Sequence, residues 1–355
     1  MNLLTPERAI DFDEACRDSG ARTKTNSGDL LMMPRIAFAY SLTASLLVAP
    51  LGMAEEYDFE VEIGYSSVDF ESSQTITTDG GVIFNSSEID TDELRLSGTW
   101  FFKGLSDEKG PRSRAALTDR ASSARLGYSQ ADRTFASFLS NTDPAFPFPP
   151  IDSRIESDDD AFAVDIRYIN RNSGWIGSAG LLTSDATVGA PVSSSFDATG
   201  WRLGFGKYVS QNTTLELAIS GVDVDGGSDT SGIGVTFEHL GDLTGHWQYA
   251  VNLAYNRINP DAGSDVDTWR AALALYPNKD IEFGLALEDV SGDLVSGNNL
   301  GVEGFASWFV RPNVRLAARY RVDDVDYQGN AVIGGAPTAG DADQDSFGVS
   351  ATVRF

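Results

Sequence analysis

From Tyr57 onward the chain alternates apolar and polar side chains with a period of two. Tyr57, Phe59, Val61, Ile63 and Tyr65 fall on one face, Asp58, Glu60, Glu62 and Gly64 on the other. Successive residues of a strand point to opposite sides of a sheet, so this segment predicts a strand with one apolar and one charged face. The pattern returns in Leu94, Leu96, Trp100 and Phe102 against Glu93, Arg95 and Thr99, and in Trp201, Leu203 and Phe205 against Arg202. It returns again in Ile281, Phe283, Leu285 and Leu287 against Glu282 and Glu288. Val314, Leu316, Ala318, Tyr320 and Val322 stand against Arg315, Arg319 and Arg321. The last repeat sets Phe347, Val349, Ala351, Val353 and Phe355 against Ser346, Ser350, Thr352 and Arg354. Fourteen such segments are legible.

The connections between them alternate in length. Short turns are expected at residues 171–173, 210–212, 241–244, 277–280 and 311–313, and long polar loops follow the odd-numbered strands. A soluble sandwich mixes loop lengths at both ends. A membrane-spanning antiparallel barrel puts short turns at its periplasmic end and long loops outside, with lipid on its apolar face and a wet lumen on its charged face. The fold expected is therefore an all-β transmembrane antiparallel barrel of about fourteen strands. Residues 104–121, between the second and third strands, break the rule: they should form a short turn, yet the segment is long. Aromatic residues near strand ends (Tyr57, Trp100 to Phe102, Tyr208, Trp247, Trp269, Tyr276, Trp308, Tyr320 and Tyr327) are expected in two interfacial girdles.

Composition narrows the function classes. The chain has 355 residues and a net charge of -26, so nucleic acid is a poor partner, since phosphate neutralisation needs clustered cations. After residue 54 nothing approaches the ~20 consecutive apolar residues of a membrane helix. Cys16 is the single cysteine, upstream of residue 33, which leaves no disulfide framework and no thiolate metal site. Residues 33–54 combine Arg35, an apolar run from Ile36 to Val48, and Gly52-Met53-Ala54, the layout of a cleaved signal peptide. Residues 1–32 lack this logic and are expected to be a misassigned extension ahead of a start at Met33. Residues 55–355 then form the barrel.

The closing stretch Ala351-Thr352-Val353-Arg354-Phe355 resembles the last strand of bacterial outer-membrane proteins, which ends in an aromatic residue read by the barrel assembly machinery. The segment Lys109-Gly110-Pro111, Arg114-Ala115-Ala116-Leu117 and Arg120-Ala121-Ser122-Ser123 is similar to a stretch of chains catalogued as bacterial porins. The resemblance implies an outer-membrane location among lipid and lipopolysaccharide, contact of Phe355 with the assembly machinery, and passive diffusion of small hydrophilic solutes and ions. General porins have sixteen strands or more; fourteen here leaves monomer and trimer both open.

Charged positions on the lumen face are the candidate site. Arg315, Arg319, Arg321 and Arg354 form a candidate basic wall, with Glu216, Glu238 and Glu282 as an acidic one. Opposed walls would set a transverse field, which the resemblance also implies. Local pairing, such as Arg354 with the acidic residues of strand one, is the competing expectation. Phe135, Phe138, Phe146 and Phe148, in an expected loop from Asp132 to Ser157, are candidates for a constriction folded into the lumen. The acidic stretches Glu156 to Asp160, Asp223 to Asp229, Asp323 to Asp326 and Asp341 to Asp345 are expected as solvated outside loops. No metal site, cofactor or enzymatic arrangement is expected. The alternative to a porin is a non-conducting barrel whose acidic loops bind a partner or surface. A transporter of apolar solutes would call for a plug, and no N-terminal domain ahead of strand one is legible to supply it.

Overall fold

The computed structural model describes residues 56–78, 81–106, 109–141, 150–189, 194–225, 227–261, 265–292, 299–327 and 338–355. The signal-peptide and extension assignments lie outside these residues. Fourteen strands follow in order: β1 (Glu56–Thr78), β2 (Gly81–Ser106), β3 (Ser123–Asn141), β4 (Ile151–Ile169), β5 (Trp175–Val188), β6 (Ser194–Ser210) and β7 (Thr213–Val224), then β8 (Thr230–Asp242), β9 (Gln248–Pro260), β10 (Val266–Asn278), β11 (Ile281–Gly292), β12 (Asn299–Arg311), β13 (Val314–Tyr327) and β14 (Thr338–Arg354). Each pairs antiparallel with its sequence neighbours, and β1 pairs with β14 to close the barrel. At the seam the Phe355 N–H donates to the Phe59 carbonyl (2.8 Å), while the Asp58 and Phe59 N–H groups donate to the Phe355 oxygen (2.9 and 3.2 Å).

The period-two pattern sorts the side chains as expected. Leu181, Leu203, Leu217, Leu253 and Leu285 are exposed on the outer face, and Leu285 is the most exposed at 63%. In water such a band would be untenable; in hydrocarbon it is the favourable surface. Aromatic pairs mark the short-turn edge of the band: Trp100 with Phe102 (5.1 Å), Trp175 stacked on Phe205 (4.8 Å) with Lys207 above it, Trp247 with Phe283 (6.3 Å), and Phe59 with Phe355 (6.5 Å).

Three expected girdle residues are corrected. Tyr57, Tyr208 and Tyr276 are buried inside the barrel, exposed by only 3%, 5% and 1%. Tyr208 and Tyr276 occupy the even positions of β6 and β10, whose odd positions Trp201, Phe205 and Trp269 face outward. For Tyr57 the reason is a register shift between Tyr57 and Phe59, a bulge that turns it to the other face. The expected loop from Asp132 to Ser157 is also mostly strand, because β3 runs to Asn141 and β4 starts at Ile151. Glu156 to Asp160 sit in β4, Asp323 to Asp326 in β13 and Asp341 to Asp345 in β14.

β1 and β2, with 23 and 26 residues, far exceed the ~9–11 that cross a bilayer. Their far halves form a tall acidic wall. Asp69 lies opposite both Asp90 and Asp345, and Glu71 opposite both Glu88 and Asp343. Like charges directly opposite destabilise a sheet. Burial, and then Glu88 and Asp345, hold the Asp69 carboxyl above its ordinary value of 3.8; burial and Glu88 do the same for Asp90.

Two outcomes follow. Leu285→Arg should cost about 2–4 kcal/mol of folding free energy in lipid vesicles, measured by denaturant titration, because it puts a cation near the bilayer middle. An undiminished stability would remove the lipid band. For the tall wall, an acid whose pKa is raised by folding is more stable protonated. Protease resistance of the β1–β2 extension should therefore rise as pH falls through the raised pKa values toward 3.8, and Asp69→Asn should give part of that gain at neutral pH.

Candidate functional site

The exceptional β2–β3 connection does not hang below the barrel. It folds into the lumen at the short-turn end as a tight turn (Arg112–Arg114) and one short helix, α1 (Ala115–Thr118). We call residues 109–121 the plug. Four helical residues cannot be stable alone; packing and side-chain clamps hold them.

The apolar side of the plug explains the buried tyrosines. Leu117, 4% exposed, packs with Ile169, Ile176, Tyr208, Leu240, Ala250, Ala274 and Tyr276. These come from β4, β5, β6, β8, β9 and β10. Ala115 and Ala121 pack with Phe101 and Leu105 of β2. The contacts thus reach most of the way round the wall. Burying one leucine side chain contributes ~1.5–3 kcal/mol.

Polar clamps fix the rest. Arg114 is the centre: its Nε donates to the Tyr276 hydroxyl (2.8 Å), its Nη1 to Glu238 (2.5 Å), and its Nη2 stands 3.7 Å from Glu282. Glu282 also accepts from the Tyr276 hydroxyl (2.8 Å) and from Ser307 (3.0 Å). Arg112 pairs with Asp280 in the β10–β11 turn. Its carbonyl accepts from Arg354 Nη2 (3.0 Å), and the Leu117 carbonyl accepts from the Tyr208 hydroxyl (3.0 Å). The helix ends with the Arg120 N–H bonded to the Leu117 carbonyl and the Ala121 N–H to the Ala116 carbonyl, which puts Arg120 at φ 51°. Glycine is the usual residue there. Arginine gains in exchange: its guanidinium lies 4.5 Å from the Tyr208 ring and donates to the carbonyls of Arg171 (3.3 Å) and Ser210 (3.4 Å).

Beyond the plug the inner face of the wall is charged, and the charges meet their neighbours. Arg315 bonds Glu62 (3.4 Å) and Thr352 (3.1 Å). Arg321 bonds Glu288 (2.9 Å) and Asp323 (2.6 Å). Arg354 bonds Glu60 (2.5 Å) and lies over Phe309 (4.8 Å). Glu216 pairs with Arg167 of β4. Arg270 pairs with Glu288 (3.3 Å) and Glu303 (2.8 Å). Of the seven charged candidates, Glu238 and Glu282 thus meet on the plug through Arg114, and Arg354 supports it through the Arg112 carbonyl. Arg315, Arg321 and Glu216 are neutralised within the wall. Arg319 has no carboxylate in ion-pair range among the described residues and lies along Gly348, where a Cβ would come within 2.8 Å of its Nε.

Of the aromatic candidates, Phe135 and Phe138 are strand residues of β3, and Phe138 faces outward beside Phe84 (6.5 Å). Phe146 and Phe148 lie outside the described residues. Arg112, Arg114, Leu117, Tyr208 and Tyr276 escaped the sequence reading as site residues. The signals were there: an over-long connection where a turn belonged, and two tyrosines on the polar parity of their strands.

No family model matches the chain, and no curated protein is similar to it in sequence. Solved structures do match in shape. A deltaS2 mutant of the monoaromatic hydrocarbon channel TodX aligns at 12% identity over 88% of this chain and 94% of that one, with a TM-score of 0.56. The Pseudomonas putida toluene transporter TodX aligns at 11% identity over 88% and 93%, TM-score 0.53. The outer-membrane protein Omp33 of Acinetobacter baumannii is similar at 16% identity over 85% and 99%, TM-score 0.44. At these identities the likeness to the two TodX structures concerns the fold alone. Together with the closed fourteen-strand topology and the outward apolar face, it gives the chain the fold of a bacterial outer-membrane β-barrel.

Proposed function

We propose that the protein is a gated outer-membrane channel for small hydrophilic solutes, with the plug as its periplasmic gate. The observation that carries this reading is the charged inner wall. Arg270, Glu288 and Arg321 are all partly exposed, at 19–23% for their side chains. Moving such ions into a dry interior costs several kcal/mol each, so the wall suits water. TodX carries monoaromatic hydrocarbons by its description; the arginine and carboxylate lining here suits polar cargo instead.

The plug modifies the porin reading. A diffusion channel needs a path through the mouth that residues 109–121 occupy. The plug comes from the β2–β3 connection and needs no N-terminal domain. Its hold mixes one buried leucine with ion pairs, a combination that can be released by a few kcal/mol. The alternative, a non-conducting barrel with an acidic outer wall, draws on the same plug.

Conductance in a planar bilayer separates them. The intact chain should show low or intermittent conductance. Replacing residues 109–120 with a two-residue turn should produce stable open steps that scale with salt, and Leu117→Ala, a loss of ~2–5 kcal/mol of packing, should raise the open fraction. A plug-shortened barrel that folds, as judged by heat-modifiable migration, and stays silent would end the channel reading.

A further inference from the structure

The lumenal cations fall into two classes that the sequence does not separate. Arg167, Arg270, Arg315, Arg321 and Arg354 each have a carboxylate within ion-pair distance, as does Arg95 with Glu93. For Arg125, Arg202 and Arg319 no such partner stands among the described residues. Among the described residues Arg125 bonds only the Ser97 hydroxyl (3.0 Å). Asp165 stands between Arg125 and Arg202 in the sheet with no ion pair to either, so two cations have one carboxylate between them.

Register explains the sharing. Arg125 of β3 lies opposite Asp165 of β4, Asp165 opposite Gly180 of β5, and Gly180 opposite Arg202 of β6. The missing side chain at Gly180 matters, because a Cβ there would come within 2.5 Å of the Asp165 carboxylate. The Asp165 carboxylate therefore lies over Gly180 between the two arginines, and the row as a whole carries a net positive charge. Arg319 sits on β13, seven strands from β6 in either direction around a fourteen-strand barrel. Arg202 and Arg319 thus occupy opposite walls.

Charge balance sharpens the contrast. The chain carries -26, and the far halves of β1 and β2 hold a run of facing carboxylates. The cations are guanidiniums throughout: among the described residues Lys103, Lys109, Lys207 and Lys279 all lie at or near the short-turn end. A guanidinium presents a planar fork of donors that fits a carboxylate in two-point contact. A paired arginine contributes little net field, whereas an unpaired one facing a low-dielectric wall attracts anions.

We infer that the lumen selects small organic anions of the carboxylate class, through the net positive row of Arg125, Asp165 and Arg202 on one wall and Arg319 on the opposite wall. This deepens the channel reading and rests on it. The arginines that matter differ from the candidate basic wall: of Arg315, Arg319, Arg321 and Arg354, Arg319 alone belongs to the selecting set.

Reversal potentials across a KCl gradient test it, on the full chain and on the plug-shortened barrel. Chloride should be preferred over potassium, and succinate on one side should block the chloride current. Arg202→Gln with Arg319→Gln should abolish both the preference and the block, while Arg202→Lys with Arg319→Lys should keep the chloride preference and weaken the block. Arg321→Gln with Asp323→Asn should leave neither lost, because it removes a neutral pair. A conducting barrel without anion preference would overturn the inference and leave the channel standing. So would a preference that Arg321→Gln with Asp323→Asn removes as fully as the double glutamine variant. If neither form conducts, the channel reading fails and takes the inference with it.

Discussion

Backbone hydrogen bonding governs this structure. In hydrocarbon no water is present to satisfy a free N–H or C=O, so a sheet can cross only as a closed cylinder. The pairing of β1 with β14, from Ile76 opposite Thr338 to Glu60 opposite Arg354, meets that demand. Closure fixes the two faces. With lipid outside, every second position along each strand must be apolar, and whatever is charged is driven inward. The Phe59–Phe355 backbone exchange at the seam ties the end of the chain into the same ladder.

The lumen is the consequence. Charges forced onto the inner wall stabilise one another with neighbours two residues away along a strand, or across one to three strands. Arg321 meets Asp323 on its own strand and Glu288 two strands away. This local neutralisation replaces the long-range division into basic and acidic walls, because an opposite charge at 3 Å outweighs one across a water-filled lumen. What survives as net field comes from the arginines whose neighbours are glycine, serine or a shared carboxylate.

The plug uses the remaining inner surface. Near the short-turn end the inward positions change from charged to apolar: Ile169, Ile176, Leu240, Ala250 and Ala274. An apolar ring facing water would be unfavourable, and Leu117 covers it. Arg114 then sits at the border between this ring and the charged wall, joining Tyr276 below to Glu238 and Glu282. Closure at one end and solvation at the other thus follow from one gradient of polarity along the inner face.

The sequence by itself determined the strands, their number, their alternating faces and the positions of the short turns, because a lipid-facing strand must repeat every two residues and a tight turn must be polar. It also marked residues 104–121 as anomalous. It left undecided where that segment goes, which of the lumenal arginines are neutralised, and that Tyr57 turns inward at a bulge. Those depend on contacts far apart in the chain: Arg114 with Glu282, Arg315 with Glu62, Arg354 with Glu60. Register between strands decides them, and register exists only once the cylinder has closed.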